Sequence, residues 1–181
     1  KAESIAITPS ERPAPELQTQ AVLEGLFMHL LLEKQPTSDR EFQQVRKAYG
    51  DLSKERSQEL YIEYKDLRDA PHLQYLFQEP YMVELPIAGT IQGKTCIGRI
   101  DRLLIQEDQV IIVDYKTDQT PANRPEDIPE GYRTQLSIYN QLVKDLFPKK
   151  SVACQILWTK SGNAMTIPAH LLNSERITDA A

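Results

Sequence analysis

The apolar positions of this 181-residue chain fall into blocks of two different periods. Residues 17–35, LQTQAVLEGLFMHLLLEKQ, stay apolar-rich over a length that suits a helix, and the block stops before Pro36. Ser38-Asp39-Arg40-Glu41 has the spacing of a capping box, which opens a second helix that Gly50 can close. A third helix is predicted over about 52–69, and APHLQYLF adds a short helical turn. Arg46, Lys47, Lys54, Arg56, Lys65 and Arg68 alternate with acids here, the pattern of a solvated face rather than a DNA-binding stripe. Residues 36–78 thus read as a helical insertion or cap.

From Tyr81 the period changes. YMVELPI (81–87) reads as a strand, and a glycine-containing turn follows it. GRIDRLLIQEDQVIIVDYKTD (98–118) has apolar runs on either side of a polar tip, Gln106-Glu107-Asp108-Gln109, and so reads as a β-hairpin. A two-residue tip (Glu107, Asp108) and a four-residue tip give the same antiparallel register, which sets Asp101 directly across from Asp114. Like charges opposed on a sheet repel, and apolar neighbours make the charge costlier still. Something positive should sit between them. Lys116 shares their face because side chains alternate with period 2, and it is one candidate; a metal ion is the other. After a Pro-rich loop (118–130), EGYRTQLSIYNQLVKDLF (130–147) is an amphipathic helix ended by Pro148. SVACQILWT and AMTIP then give two strands around Ser161-Gly162-Asn163. The fold class is α/β: a mixed central sheet flanked by helices, with a helical insertion.

Length and composition fit one soluble domain with a real core, 40% hydrophobic and 26% charged. No apolar run approaches the roughly 18 residues of a membrane span, and no signal peptide is evident. Two cysteines, Cys96 and Cys154, in apolar contexts read as buried free thiols of a reducing compartment. They are too few for a four-cysteine iron–sulfur cluster or zinc site. The chain starts at Lys1 on a loose stretch containing TPSERPAPE, so residues 1–16 read as a linker from a preceding domain. The net charge of −5, taken alone, favours a small-molecule or protein partner over nucleic acid, although local basic clusters can still steer a polyanion.

Several polar residues do not fit a plain core. Strand 110–116 is apolar on both faces up to Asp114, so it should be central in the sheet. Asp114, Asp101 and the Tyr115 backbone carbonyl would offer three oxygens to a hard divalent cation. The same residues also read as ordinary salt bridges among Asp101, Asp114, Lys116, Arg99 and Arg102. His29 stands on an otherwise apolar helix with Gly25 one turn before it; a mid-helix glycine usually reflects close approach by a neighbour. A core histidine and a ligand are both open readings. Gln135 and Tyr139 lie at i and i+4, sharing a face that could equally be a half-buried helix edge.

Taken in order, G-x-x-x-H, G-R-I-D, V-D-Y-K-T and Q-x-x-x-Y closely resemble the RecB/AddA-type nucleases of the PD-(D/E)XK superfamily, over Gly25 to Tyr139. The tail, PKKSVACQILWTKSGNAMTIPAHLL, is similar to the end of alphaproteobacterial AddA helicase–nucleases, whose nuclease is the C-terminal domain. The resemblance implies a restriction-endonuclease-like core and metal ligation by His29, Asp101 and Asp114. Lys116 would then position and polarise the attacking water. Gln135 and Tyr139 would sit beside the site and contact the DNA strand or the lysine, with Arg99 also on the DNA. Glu84 falls where relatives often carry an acid before the hairpin.

The implied activity is a metal-dependent deoxyribonuclease, an exonuclease using Mg²⁺ or Mn²⁺ and no iron–sulfur cluster. Because imidazole softens the site, Mn²⁺ should serve at least as well as Mg²⁺. The implied setting is double-strand-break repair and recombination in the bacterial cytoplasm, away from membrane. DNA ends would be fed by ATP-dependent helicase domains of the same chain, beside a partner of the AddB type. The alternatives are a noncatalytic nuclease-like DNA-binding or assembly module, and a stand-alone RecB-like exonuclease.

Overall fold

A computed structural model describes residues 4–6 and 20–172. The sequence expectations translate into α1 (Gln20–Lys34), α2 (Asp39–Tyr49), α3 (Lys54–Asp69) and a 3₁₀ segment (Pro71–Phe77). Strands β2 (Tyr81–Ile91), β3 (Lys94–Ile105) and β4 (Gln109–Lys116) follow, then α4 (Glu130–Leu146), β5 (Ser151–Trp158) and β6 (Asn163–Thr166). Local chemistry sets the ends. Ser38 Oγ accepts the Glu41 N–H at the start of α2, and Gly50 closes it in the left-handed region at φ 74°. The turn between β2 and β3 is Gln92-Gly93 with φ of 50° and 79°, the two positive values a tight hairpin turn needs. Gln106 N–H donates to the Gln109 carbonyl at 2.8 Å, so the β3–β4 tip is the two-residue one.

Strand β1 (Ser4–Ala6), inside the stretch read as linker, adds a parallel edge beside residues 95–97 of β3. It makes a sixth strand where the sequence suggested five. β2 pairs with β3 along nearly its whole length, running four residues past the strand expected from sequence. β4 lies between β3 (antiparallel) and β5 (parallel), the central position its two-faced apolarity implied. α4 is the crossover joining these parallel neighbours.

Two cores form, one on each face. α4 packs through Leu136, Tyr139 and Val143 against Ile100, Ile112, Ile156 and Trp158. On the other face α1, α2, α3 and the 3₁₀ segment pack on Leu104, Ile111, Val113, Tyr115 and Leu157. The helical stretch 36–78 is therefore the layer that covers one side of the sheet. Phe27, Met28, Leu31 and Leu32 are buried there, each contributing roughly 1.5–3 kcal/mol by leaving water. Arg56 reaches Glu24, Glu59 and Glu63, so the alternating charges of α3 pair with each other and with α1. Cys96 and Cys154 are buried free thiols, and burial pushes the Cys154 thiol up to about 12. Among the described residues no helix is long and apolar enough to cross a membrane.

Candidate active site

The β3–β4 ladder has the register the sequence implied but stops at Arg102↔Val113. β2 occupies one edge of β3, while β4 and β1 share the other, at its two ends. Between them, among the described residues, the edge of β3 at residues 98–101 carries no strand partner. Side chains take over there. Asp101 Oδ2 accepts the Tyr115 N–H at 2.6 Å, and Tyr139 Oη accepts the Arg99 N–H at 3.2 Å. Asp101 and Asp114 thus extend the hairpin register into a gap rather than a ladder. Residues of α1, on one face, and of α4, on the other, both line the cleft at that gap.

A cleft of about 930 Å³ opens at this point, lined by His29, Glu84, Asp101, Asp114, Lys116 and Gln135 among others. Gly25 lets α1 approach closely, since a Cβ there would meet Thr117 Oγ1 at 2.9 Å. One turn later His29 Nδ1 lies 3.5 Å from Asp101 Oδ1. One ligand atom each from His29, Glu84 and Asp101 fall within 4.8 Å of one another. Asp114 stands outside that trio and instead places Oδ2 2.7 Å from Lys116 Nζ. The expected set of His29, Asp101 and Asp114 is therefore in one cleft, but Glu84 is the acid grouped most tightly with His29 and Asp101.

The Lys116 ammonium is held on three sides. Asp114 faces it, Gln135 Oε1 accepts from it at 3.2 Å, and the Tyr132 ring centroid lies 4.2 Å away. Gln135 must turn its amide nitrogen the other way, and Nε2 donates to Tyr139 Oη at 3.3 Å. Tyr139 Oη thus accepts from both Arg99 N and Gln135, leaving its own proton to donate. Gly98 makes this possible: a Cβ there would lie 2.5 Å from the Tyr139 ring. Arg102, a salt-bridge candidate from sequence, is wholly buried and turned elsewhere. Its guanidinium donates to Tyr115 Oη, Leu76 O and Leu32 O.

The electrostatics separate the two aspartates. Burial raises the Asp114 pKa, Lys116 opposes it, and Asp101 adds to it, with the outcome about 6. For Asp101 burial also acts upward, but His29 and the Tyr115 N–H outweigh it and its pKa is lowered. Burial acts to lower both bases; Asp101 nevertheless raises His29, and Asp114 raises Lys116. Asp114 Oδ2 is buried 2.7 Å from the Lys116 ammonium, a charge-assisted contact that meets its negative charge. An imidazole nitrogen and the clustered carboxylates of Glu84 and Asp101, with Asp114 beside them, form a donor set suited to a divalent ion.

Two contributors were missed or only half seen in the residue patterns. Tyr132 had a usable signal, lying three residues before Gln135 and so on the same helix face. Glu84 was marked by family resemblance alone, because its backbone sits at φ 48° inside β2, which nothing in VELP foretells.

The paired aspartates and lysine, set on a mixed sheet between helices, define a nuclease of the PD-(D/E)XK superfamily. The chain belongs to that superfamily, whose model matches residues 6–175, and divalent metals are part of its chemistry. The chain is 30% identical over 88 residues to an ATP-dependent helicase/nuclease subunit from Ruminiclostridium cellulolyticum, covering 48% of this chain and 7% of that protein. It is 31% identical over 68 residues to the like-named protein of a Thermoanaerobacter species, covering 38% of this chain and 6% of the relative. The chain thus spans under a tenth of these relatives. A putative exonuclease from Eubacterium rectale shares the fold, with a TM-score of 0.59 at 12% identity, over 90% of this chain and 64% of that one.

Proposed function

We propose that this domain is a metal-dependent deoxyribonuclease, and the observation that carries the reading is the Lys116 clamp beside the His29/Glu84/Asp101 group. His29, Asp101, Asp114 and the Tyr115 carbonyl would hold Mg²⁺ or Mn²⁺. The ion, when bound, lowers the pKa of a water molecule and withdraws charge from the scissile phosphate. Lys116 holds its charge where the nucleophile approaches and where negative charge develops. Gln135 and Tyr132 fix the ammonium, and Tyr139, wholly buried behind them, holds Gln135 in place rather than meeting the DNA strand as the resemblance implied. Arg99, half exposed at the cleft, engages a phosphate.

The similarity to ATP-dependent helicase/nuclease proteins supports a larger setting. This domain would be the C-terminal exonuclease of an AddA-type chain, with a tail of the alphaproteobacterial kind, working with an AddB-type partner in the bacterial cytoplasm. The helicase domains would feed it unwound single strands during double-strand-break repair and recombination. The test is cleavage of end-labelled single- and double-stranded oligonucleotides with Mg²⁺, Mn²⁺ or EDTA. Cleavage that needs the ion and is lost in Asp114→Ala is expected. Cleavage in EDTA, or undiminished in Asp114→Ala, would sink the reading.

A further inference from the structure

Glu84 is strained for a reason its own strand does not supply. It sits at φ 48° in the left-handed region, where a side chain other than glycine is disfavoured. Pairing on either side of it keeps one register, Val83↔Arg102 and Leu85↔Ile100, so no residue is inserted and the distortion belongs to Glu84 alone. Strain of this kind persists only where the surroundings hold it. Here it accompanies a carboxylate brought into the group with His29 and Asp101. Glu84 also has a competitor for that carboxylate. Arg99 Nη1 lies 3.1 Å from Glu84 Oε2, and the Arg99 side chain is 52% exposed at the cleft.

We propose that Glu84 is a further metal-site carboxylate, shared between the ion and Arg99, so that a DNA phosphate drawing Arg99 away strengthens ion binding. This rests on the reading of the site as a divalent-metal centre. While Arg99 holds Glu84, the ion sees a partly neutralised ligand. A phosphate oxygen is the natural alternative partner for an exposed guanidinium. Once Arg99 moves to phosphate, the full Glu84 charge faces the ion. Linkage then makes the effect mutual: bound ion frees Arg99 and tightens DNA.

Calorimetric titration of the 181-residue chain with Mn²⁺ tests it. Glu84→Gln should weaken Mn²⁺ about tenfold or more, and Glu84→Asn, which tolerates positive φ, should do the same with the fold kept. Arg99→Gln should tighten Mn²⁺ a few-fold alone and have no effect in the Glu84→Gln background. In a Lys116→Ala background, which prevents cleavage, a single-stranded oligonucleotide should tighten Mn²⁺ when Arg99 is present and less in Arg99→Gln. Unchanged affinity in folded Glu84→Gln and Glu84→Asn would overturn the ligand role. An Arg99→Gln effect of equal size without Glu84, or oligonucleotide coupling of equal size without Arg99, would overturn the exchange. Asp101→Ala separates the two levels of failure. If it abolishes Mn²⁺ binding while the Glu84 variants do not, only this inference falls; if it too leaves binding intact, the metal centre itself is wrong.

Discussion

Arg102 on β3 and Lys116 on β4 are both inward-turned cations, yet their surroundings differ in kind. Arg102 is wholly buried between the Phe77 and Tyr81 rings, at 5.0 and 4.6 Å, and donates only to neutral oxygens. Two of those, Leu32 O and Leu76 O, lie in the last turns of α1 and the 3₁₀ segment, where the backbone presents negative partial charge. Lys116 faces a carboxylate, an amide and one ring, with the cleft on its remaining side. The difference is whether the partners can respond. The Arg102 partners are neutral and carry no charge that protonation could remove if the cation were lost; Asp114 is a carboxylate that can be protonated or can turn to an ion. Saturated, unresponsive partners make a structural tie, and responsive partners around an open side make a working group.

That contrast breaks most visibly at Arg102. Arg102→Ala should cost about 3–5 kcal/mol in urea unfolding, from a cavity plus stranded polar oxygens. Mn²⁺ should not restore its unfolding curve to that of the parent; full recovery would mean that Arg102 belongs to the ion site. Lys116→Ala should lose cleavage by roughly 100-fold or more. Its stability loss should be smaller than that of Arg102→Ala and recovered by millimolar Mn²⁺. Near-parental cleavage by Lys116→Ala would leave the lysine as a mere ion-pair partner.

The ring against Lys116 gives a subtler test. Tyr132→Phe should keep cleavage within about threefold, whereas Tyr132→Leu should lose about 1 kcal/mol of transition-state stabilisation, near fivefold in kcat. Equal rates for Phe and Leu would show that the ring's electrostatics do not matter. The smallest effect involves His29. Its pKa is raised above 6.5 in the fold, so the stability it adds is full below that value and is lost as pH rises through the folded pKa. The metal-free chain should therefore lose a little melting temperature, on this account, between pH 6 and pH 8. His29→Gln should flatten that part of the curve; an unchanged slope would remove His29 from it.

How far the sequence foretold the molecule varies residue by residue. Hairpin register is a local property, and the opposition of Asp101 and Asp114 followed from the tip alone. The gap that lets Asp101 bind the Tyr115 N–H was not readable, because it depends on where β1 and β4 each leave β3. Gly25 signalled close approach correctly, and the approaching group is Thr117, beside the lysine. Arg102 looked from sequence like any strand arginine near acids. Its burial is set by helix ends that sequence cannot place against a sheet.

The parts of this cleft come from very different distances along the chain. The Asp101–Tyr115, Lys116–Gln135 and Gln135–Tyr139 links span 14, 19 and 4 residues, all within the stretch from β3 to α4. Such short loops cost little chain entropy to close. His29 joins from α1 across the intervening helical layer, a far longer closure. The lysine clamp is thus a local assembly that can form early, and the histidine is a long-range addition. Local opening of α1 would withdraw the imidazole while leaving Lys116, Gln135 and Tyr139 together. The cleft thus joins a lysine clamp built from short closures to a histidine supplied by a far longer one.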